Sequence, residues 1–396
     1  MRTSIKLILA LVFLIGVFLQ NGNAETKTST GTGNWNTAAT WSPSGVPLAG
    51  DAVIIQTGHN VTLNTSSASL LSLTINTGGT LTSTGAYTFN ATTIAVNGLY
   101  YNGSTGTITG TMTVNSGGTY QHAINGGTIK TATWNAGSTC NISGVTSTLP
   151  SGFSQSFSNL TWSSTNTSAI SIAPTAINGD FNITTGGGTD KTLRINTTPF
   201  TIGGNLNLSG SANLQISTST QRTLTVNGDF SMSGGKLDFG TSTKIGTLNI
   251  KGNYSHTGGT MTESGTSSGA IVFNGSTTQT LTSGGTISGL INYTVNSGTT
   301  LQMTDASTVV SGNSFTLSSG ATLGIKSTSG ITTAGNALGN IQTTIRTFST
   351  TAHYMYNGSS AQVTVIIYIS PYTTTIVSHK VFWRALDYSR KGRINI

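Results

Sequence analysis

Nine carboxylates, five histidines and a single cysteine are the side chains in this 396-residue chain best suited to acid–base, metal or thiol chemistry. Hydrolysis of a glycosidic bond needs two carboxyls on one face, roughly 5 to 10 Å apart. Asp229 with Asp238 is the sharpest such pair the sequence offers. Against it, Asp180 and Asp229 occupy equivalent places in a repeat, where a structural role explains them better. Asp190, Asp238, Glu263 and Asp305 are otherwise scattered and belong to no motif. His59, His122, His256, His353 and His379 do not stand at metal-ligand spacing from one another, from the cysteine or from a carboxylate. The regular Asp of calcium-binding nonapeptides is missing, as are the serine-hydrolase elbow, the zinc-protease helix and the phosphate-binding loop. Cys140 has no partner for a disulfide and suits a small, partly buried strand position. The chain is therefore expected to have no catalytic residue, no cofactor and no metal ion.

The elements that would position these groups repeat. NGDFNI from Asn178, GGNLNL from Gly203, NGDFSM from Asn227 and KGNYSH from Lys251 share one form. In each, a Gly (Gly179, Gly204, Gly228, Gly252) precedes Asp180, Asn205, Asp229 or Asn253. A large residue follows: Phe181, Leu206, Phe230 or Tyr254, recurring at a nearly constant step. Strand-like leads, TLTV from Thr223 and TLNI from Thr247, precede two of them. His256 takes the place held by Met232 and Leu208. A strand-rich repeat at this interval predicts a solenoid. The Gly-Asx pairs read as corners that use the positive φ open to Gly, and the large residues as inward anchors. Earlier, Ile75, Val96 and Val114 follow a similar but shorter step; later the rhythm passes through Val272, Val295 and Leu317.

Composition agrees. Charged residues make up only 7%, so stacked coils avoid ladders of like charge, and 51 Gly accompany abundant Ser, Thr and Asn. Of the formal charge of +8, two come from Arg2 and Lys6 and a net four from positions 379–396, leaving a nearly neutral body. Such a body lacks the electrostatic footprint of a nucleic-acid binder. In TGTITGTMT, Thr105, Thr107, Thr109, Thr111 and Thr113 alternate as on one exposed strand face.

Residues 1–24 read as a cleaved secretory signal: Arg2 and Lys6, an apolar run from Leu7 to Leu19, then small residues ending at Ala24. With no later apolar run of spanning length, the mature chain is expected to have no membrane span, and the lack of cystine favours a bacterial exterior. Residues 25–69 hold Trp35 and Trp41, Gly45-Val46-Pro47, the GDAVII strand from Gly50 and the Gly58-His59 turn. This stretch resembles the N-terminal module of large secreted surface proteins of Bacteroidetes and is similar to the start of the G8 domain. The WNAGST and NLTW elements between Thr131 and Trp162 strengthen that resemblance. It implies a surface protein, usually ending in a type IX secretion sorting domain. Here the repeats run over residues 70–364, and residues 365–396 change character, losing Gly and gaining Lys and Arg. That tail reads as an out-of-frame or truncated end, with a basic segment for an anionic surface as the rival.

The expected fold is therefore all-β: an elongated parallel β-helix, right-handed by the usual crossover rule, with an N-terminal cap containing Trp35 and Trp41. The expected role is a non-catalytic, secreted or cell-surface adhesive solenoid. Its partners would be surface glycans or other cell-surface proteins, and not nucleic acid. The alternative is a carbohydrate-active β-helix enzyme or a carbohydrate-binding module, since pectin-active hydrolases and lyases use this fold.

Overall fold

The computed structural model describes residues 24–185, 192–241, 243–332 and 336–364. The leader, save Ala24, and the tail 365–396 lie outside the described residues, as do Asp190, His379 and Asp387. Apart from a 3-10 turn at Ala38–Thr40, every regular element among the described residues is a β-strand. Nearly all strand pairs are parallel, and alternation along most strands buries Val, Ile, Leu and aromatics while Thr, Ser and Asn mostly face outward. The chain is a β-solenoid, in two compact units that divide at Gly144 and Val145.

In the first unit one parallel ladder joins Thr26–Ser29, Ala52–Ile55, Leu70–Ile75, Ala91–Val96, Thr111–Val114 and Ala132–Trp134. A second joins Gly33–Asn34, Asn60–Leu63, Thr80–Ser83, Leu99–Asn102, Thr119–His122 and Thr139–Ile142. Ile75, Val96 and Val114 are register partners, so the spacing seen in sequence is the coil step. Between the ladders the chain makes a tight turn. The N–H groups of Gly79, Gly118 and Ser138 return to the carbonyls of Asn76, Asn115 and Asn135. The third places, Gly78, Gly117 and Gly137, have φ of 76°, 77° and 83°, which glycine adopts at little cost. The turn asparagines also bond coil to coil, Asn135 Nδ2 to Asn115 Oδ1 and Asn115 Nδ2 to Asn97 Oδ1, each at 2.8 Å. The threonine run does not form one strand. Gly110, at φ 90°, interrupts it, and only Thr111 and Thr113 lie on Thr111–Val114, where Thr113 is in register with Ala95 and Thr133 of adjacent coils.

The open end of this unit is closed by the tryptophans. Trp41–Ser42 pairs antiparallel with Thr26–Ser29, covering an edge that would otherwise offer unpaired backbone. Trp35 and Trp41 are buried edge-to-face with centroids 5.0 Å apart, and Trp41 Nε1 donates to the Trp35 carbonyl at 2.8 Å.

The second unit has three faces per coil. On one, Ile177, Ile202, Val226, Ile250, Phe273, Val295 and Leu317 stack inward. On the next, Leu160, Phe181, Leu206, Phe230, Tyr254 and Leu281 stack, so the sequence repeat is one buried column. Leu208, Met232 and His256 form a parallel column beside it. One expectation shifts by a single position. Val272 faces outward opposite Thr294, and Phe273 is the inward partner of Val295. In a strand that single step exchanges the two faces.

At the corner before this column the coils are tied by side chains. Asn159 Oδ1 accepts from the Asp180 N–H at 2.9 Å, and Asp180 Oδ1 from Asn205 N–H at 2.8 Å. Asn205 Oδ1 and Asp229 Oδ1 accept from Asp229 and Asn253 at 2.7 Å, and Asn253 Oδ1 from Thr280 at 2.9 Å. Gly179, Gly204, Gly228 and Gly252 are not in the positive-φ region, contrary to the expectation for these corners. Their requirement is space. A Cβ at Gly204, Gly228 or Gly252 would overlap the Oδ1 of Asp180, Asn205 or Asp229. Asp and Asn also alternate up the column, which sets the carboxylates two coils, about 10 Å, apart. Asn205→Asp keeps the acceptor oxygen but places like charges on three successive coils. It should destabilise the second unit by roughly 1 kcal/mol at neutral pH and low salt. The loss should vanish at about 1 M salt or below the carboxylate pKa range. Urea unfolding across salt and pH measures it, and a salt-independent loss would contradict the charge-spacing account.

Candidate functional site

The carboxylates fall into two environments. Asp180 and Asp229 sit at corners of the ladder just described, each with one oxygen held by the next coil's N–H. Asp229 and Asp238 are not brought together: Asp229 immediately precedes the nine-residue strand Phe230–Asp238, and Asp238 ends it. Asp238 instead neighbours Glu263, one coil further on, because Asp238 is in register with Thr262. Both side chains are buried. Asp238 is saturated. Its Oδ1 accepts from Gly240 N–H at 3.1 Å, its Oδ2 accepts from Ser264 Oγ at 2.8 Å, and Lys236 Nζ stands 3.2 Å away. Glu263 is not. Oε1 accepts from Gly265 N–H at 3.0 Å, but Oε2 is buried without a partner. Burial is the main cause that raises the Glu263 pKa; the Gly265 N–H opposes it and the charge of Asp238 adds to it. One carboxyl thus holds its proton more tightly than usual beside another that is paired with Lys236. A separation close to the coil step was the sequence signal for this pair.

The histidines do not converge. His59 Nδ1 meets Ser29 Oγ at 2.8 Å. His122 and His256 are buried strand residues, with Nε2 against the carbonyls of Gly126 at 2.8 Å and Gly259 at 3.3 Å. Desolvation lowers both pKa values, partly offset by those carbonyls, so both rings favour the neutral form. His353 lies on the terminal strand His353–Tyr356. Among the described residues, no group of three or more His, Cys, Asp or Glu could hold a metal ion. Cys140 is buried on Thr139–Ile142, and desolvation raises its pKa far above the range of a reactive thiolate.

The polar residues of the cap form a more connected group. Asp51 is buried and clamps two segments, accepting from Glu25 N–H and Leu48 N–H, both at 2.8 Å. Ser29 Oγ accepts from Gln56 N–H at 2.9 Å while meeting His59. Residues 40–132 match the family model of the G8 domain. No curated protein and no solved structure matches the chain. The G8 segment therefore extends well past the cap into the coils of the first unit. Within it, the GDAVII strand supplies the Asp51 clamp and the Gly58-His59 turn supplies the imidazole that fastens Ser29. Trp41 lies inside the match and Trp35 just before it.

The Glu263 shift gives a pH signature. A carboxyl whose folded pKa is raised binds protons more tightly folded than unfolded, so its contribution is fully present below the unfolded pKa and lost as pH rises toward the folded one. Glu263→Gln should remove that fall. The variant should equal the wild type in acid and exceed its stability at pH 7, by urea denaturation across pH. Lower stability of the variant at pH 7 would mean that the ionised carboxylate is the supported form.

Proposed function

We propose that this chain is an exported, non-catalytic solenoid, of the type found among Bacteroidetes surface proteins, that makes weak and repeated contacts with glycans or other cell-surface material. The G8 match and the β-solenoid fold fit a structural or surface protein. The observation that carries the finer reading is how the carboxylates are used: Asp51, Asp180, Asp229 and Asp238 all accept backbone N–H groups that hold coils or loops in place. One outward column of the second unit, Thr225, Asn249, Val272, Thr294 and Thr316, is uncharged and mostly hydroxyl- or amide-bearing. Individually weak contacts on such repeated faces gain strength through multivalency. Export rests on the leader-like residues 1–24, and the nearly neutral body supports a partner other than nucleic acid.

The second reading, a carbohydrate-active enzyme, rests on Glu263 and Asp238, since two neighbouring carboxyls in unlike environments, one desolvated and one beside a lysine, are how glycosidases divide their roles. The two separate in one assay. The purified chain should be retained on immobilised plant, fungal or bacterial polysaccharides, with no release of reducing ends. Reducing-end release abolished by Glu263→Gln or Asp238→Asn would establish the enzyme instead.

A further inference from the structure

In the second unit the third face comes to an end. Its ladder joins Ile170–Ile172, Leu193–Ile195, Asn213–Gln215, the distal halves of Phe230–Asp238 and Tyr254–Thr262, and finally Thr286–Ser288. Among the described residues no strand pairs with the far side of Thr286–Ser288; the following coil passes from Thr300–Met303 to Ser314–Leu317 through a loop. Where the ladder stops, a recess of about 260 Å³ opens, far larger than the ~30 Å³ share of one water.

Its lining has a specific chemistry. Tyr254, His256 and Tyr293 are buried in its wall, and Ser283, Ser307 and Ser311 stand toward its opening. Gly285 is also there, packed so closely on the His256 imidazole that a Cβ at that position would overlap the ring. Ser283 Oγ accepts from Val309 N–H and Ser307 Oγ donates to Asp305 Oδ1, both at 2.7 Å, which leaves His256 as the under-used polar group. His256 has only a long 3.3 Å contact from Nε2, and its second ring nitrogen has no hydrogen-bond partner among the described residues. The Tyr254 hydroxyl donates to Met261 Sδ at 3.4 Å, a weak acceptor. No charged side chain lines the recess, and an ionic ligand there would be desolvated without a counter-charge. Aromatic side chains with hydroxyls and a neutral imidazole suit a ligand with an apolar face and a hydroxylated edge.

We propose that this recess binds one neutral sugar ring, with His256 and the rim serines hydrogen-bonding its hydroxyls. The assignment rests on the glycan-contact reading above and gives it a discrete site.

Saturation-transfer NMR of the full chain with glucose, galactose, mannose, N-acetylglucosamine and the anionic galacturonate tests it. At least one neutral sugar should bind in the millimolar range, and galacturonate should not. Ser311→Trp, which fills the recess, should weaken binding by about tenfold or more with the circular dichroism unchanged. Ser307→Trp, on the exposed rim, provides the same test should the first variant unfold. Failure of the wild type to bind any neutral sugar, or binding untouched by folded Trp variants, would overturn the site. Retention on polysaccharide that survives a Trp variant would leave the broader adhesive reading standing on the strand faces alone. Loss of all retention by the wild type would end that reading.

Discussion

Each corner of the central repeat is held by a side-chain oxygen of one coil accepting the backbone N–H of the next, over a glycine too small to displace it. The rest of the second unit depends on that contact. A parallel ladder can slip, and a slip of one residue would turn Phe181, Leu206, Phe230 and Tyr254 out of the core. The oxygen specifies register at a point where the strand itself does not. It also explains the sparing use of charge, since a column of carboxylates one strand spacing apart would repel, and Asn alternating with Asp keeps the acceptors while separating the charges.

The first unit solves the corner differently. Its Asn-x-Gly turns rely on the left-handed conformation of Gly78, Gly117 and Gly137, and its coils are shorter, as the register of Val61 with Leu81 shows. The G8 segment lies within this unit, where Asp51, Ser29 and His59 fasten the first coil beneath the tryptophans. Residues that could suggest chemistry in isolation are there mainly to finish an end that a stacked fold would otherwise leave open.

Much of this was legible in the sequence because a coil step maps directly onto residue number. The column through Phe181 and Tyr254, the register of Ile75 with Val96, and the pairing of His256 with Met232 all follow from spacing. What spacing does not carry is what the next coil brings. Gly204 and Gly228 looked like positive-φ corners, and only the stacked neighbour reveals that a Cβ has no room. Val272 sits one position from the inward column, below the resolution of a loosened repeat. Asp238 and Glu263 seemed scattered because their meeting requires the coil step to be applied to every carboxylate, beyond those in the motif. The recess at Tyr254 and His256 arises from a strand that is not continued, which leaves no motif at all.

The corner contact can be read directly by hydrogen exchange at single residues. The amides of Asn205, Asp229 and Asn253 lie at half-buried or exposed corners, where an unbonded N–H would exchange freely. They should instead be protected about as strongly as the neighbouring strand amides of Leu206 and Phe230. Exchange of these three at the rate of an unstructured chain, with the strands protected, would show that the corner oxygens do not hold the coils in register.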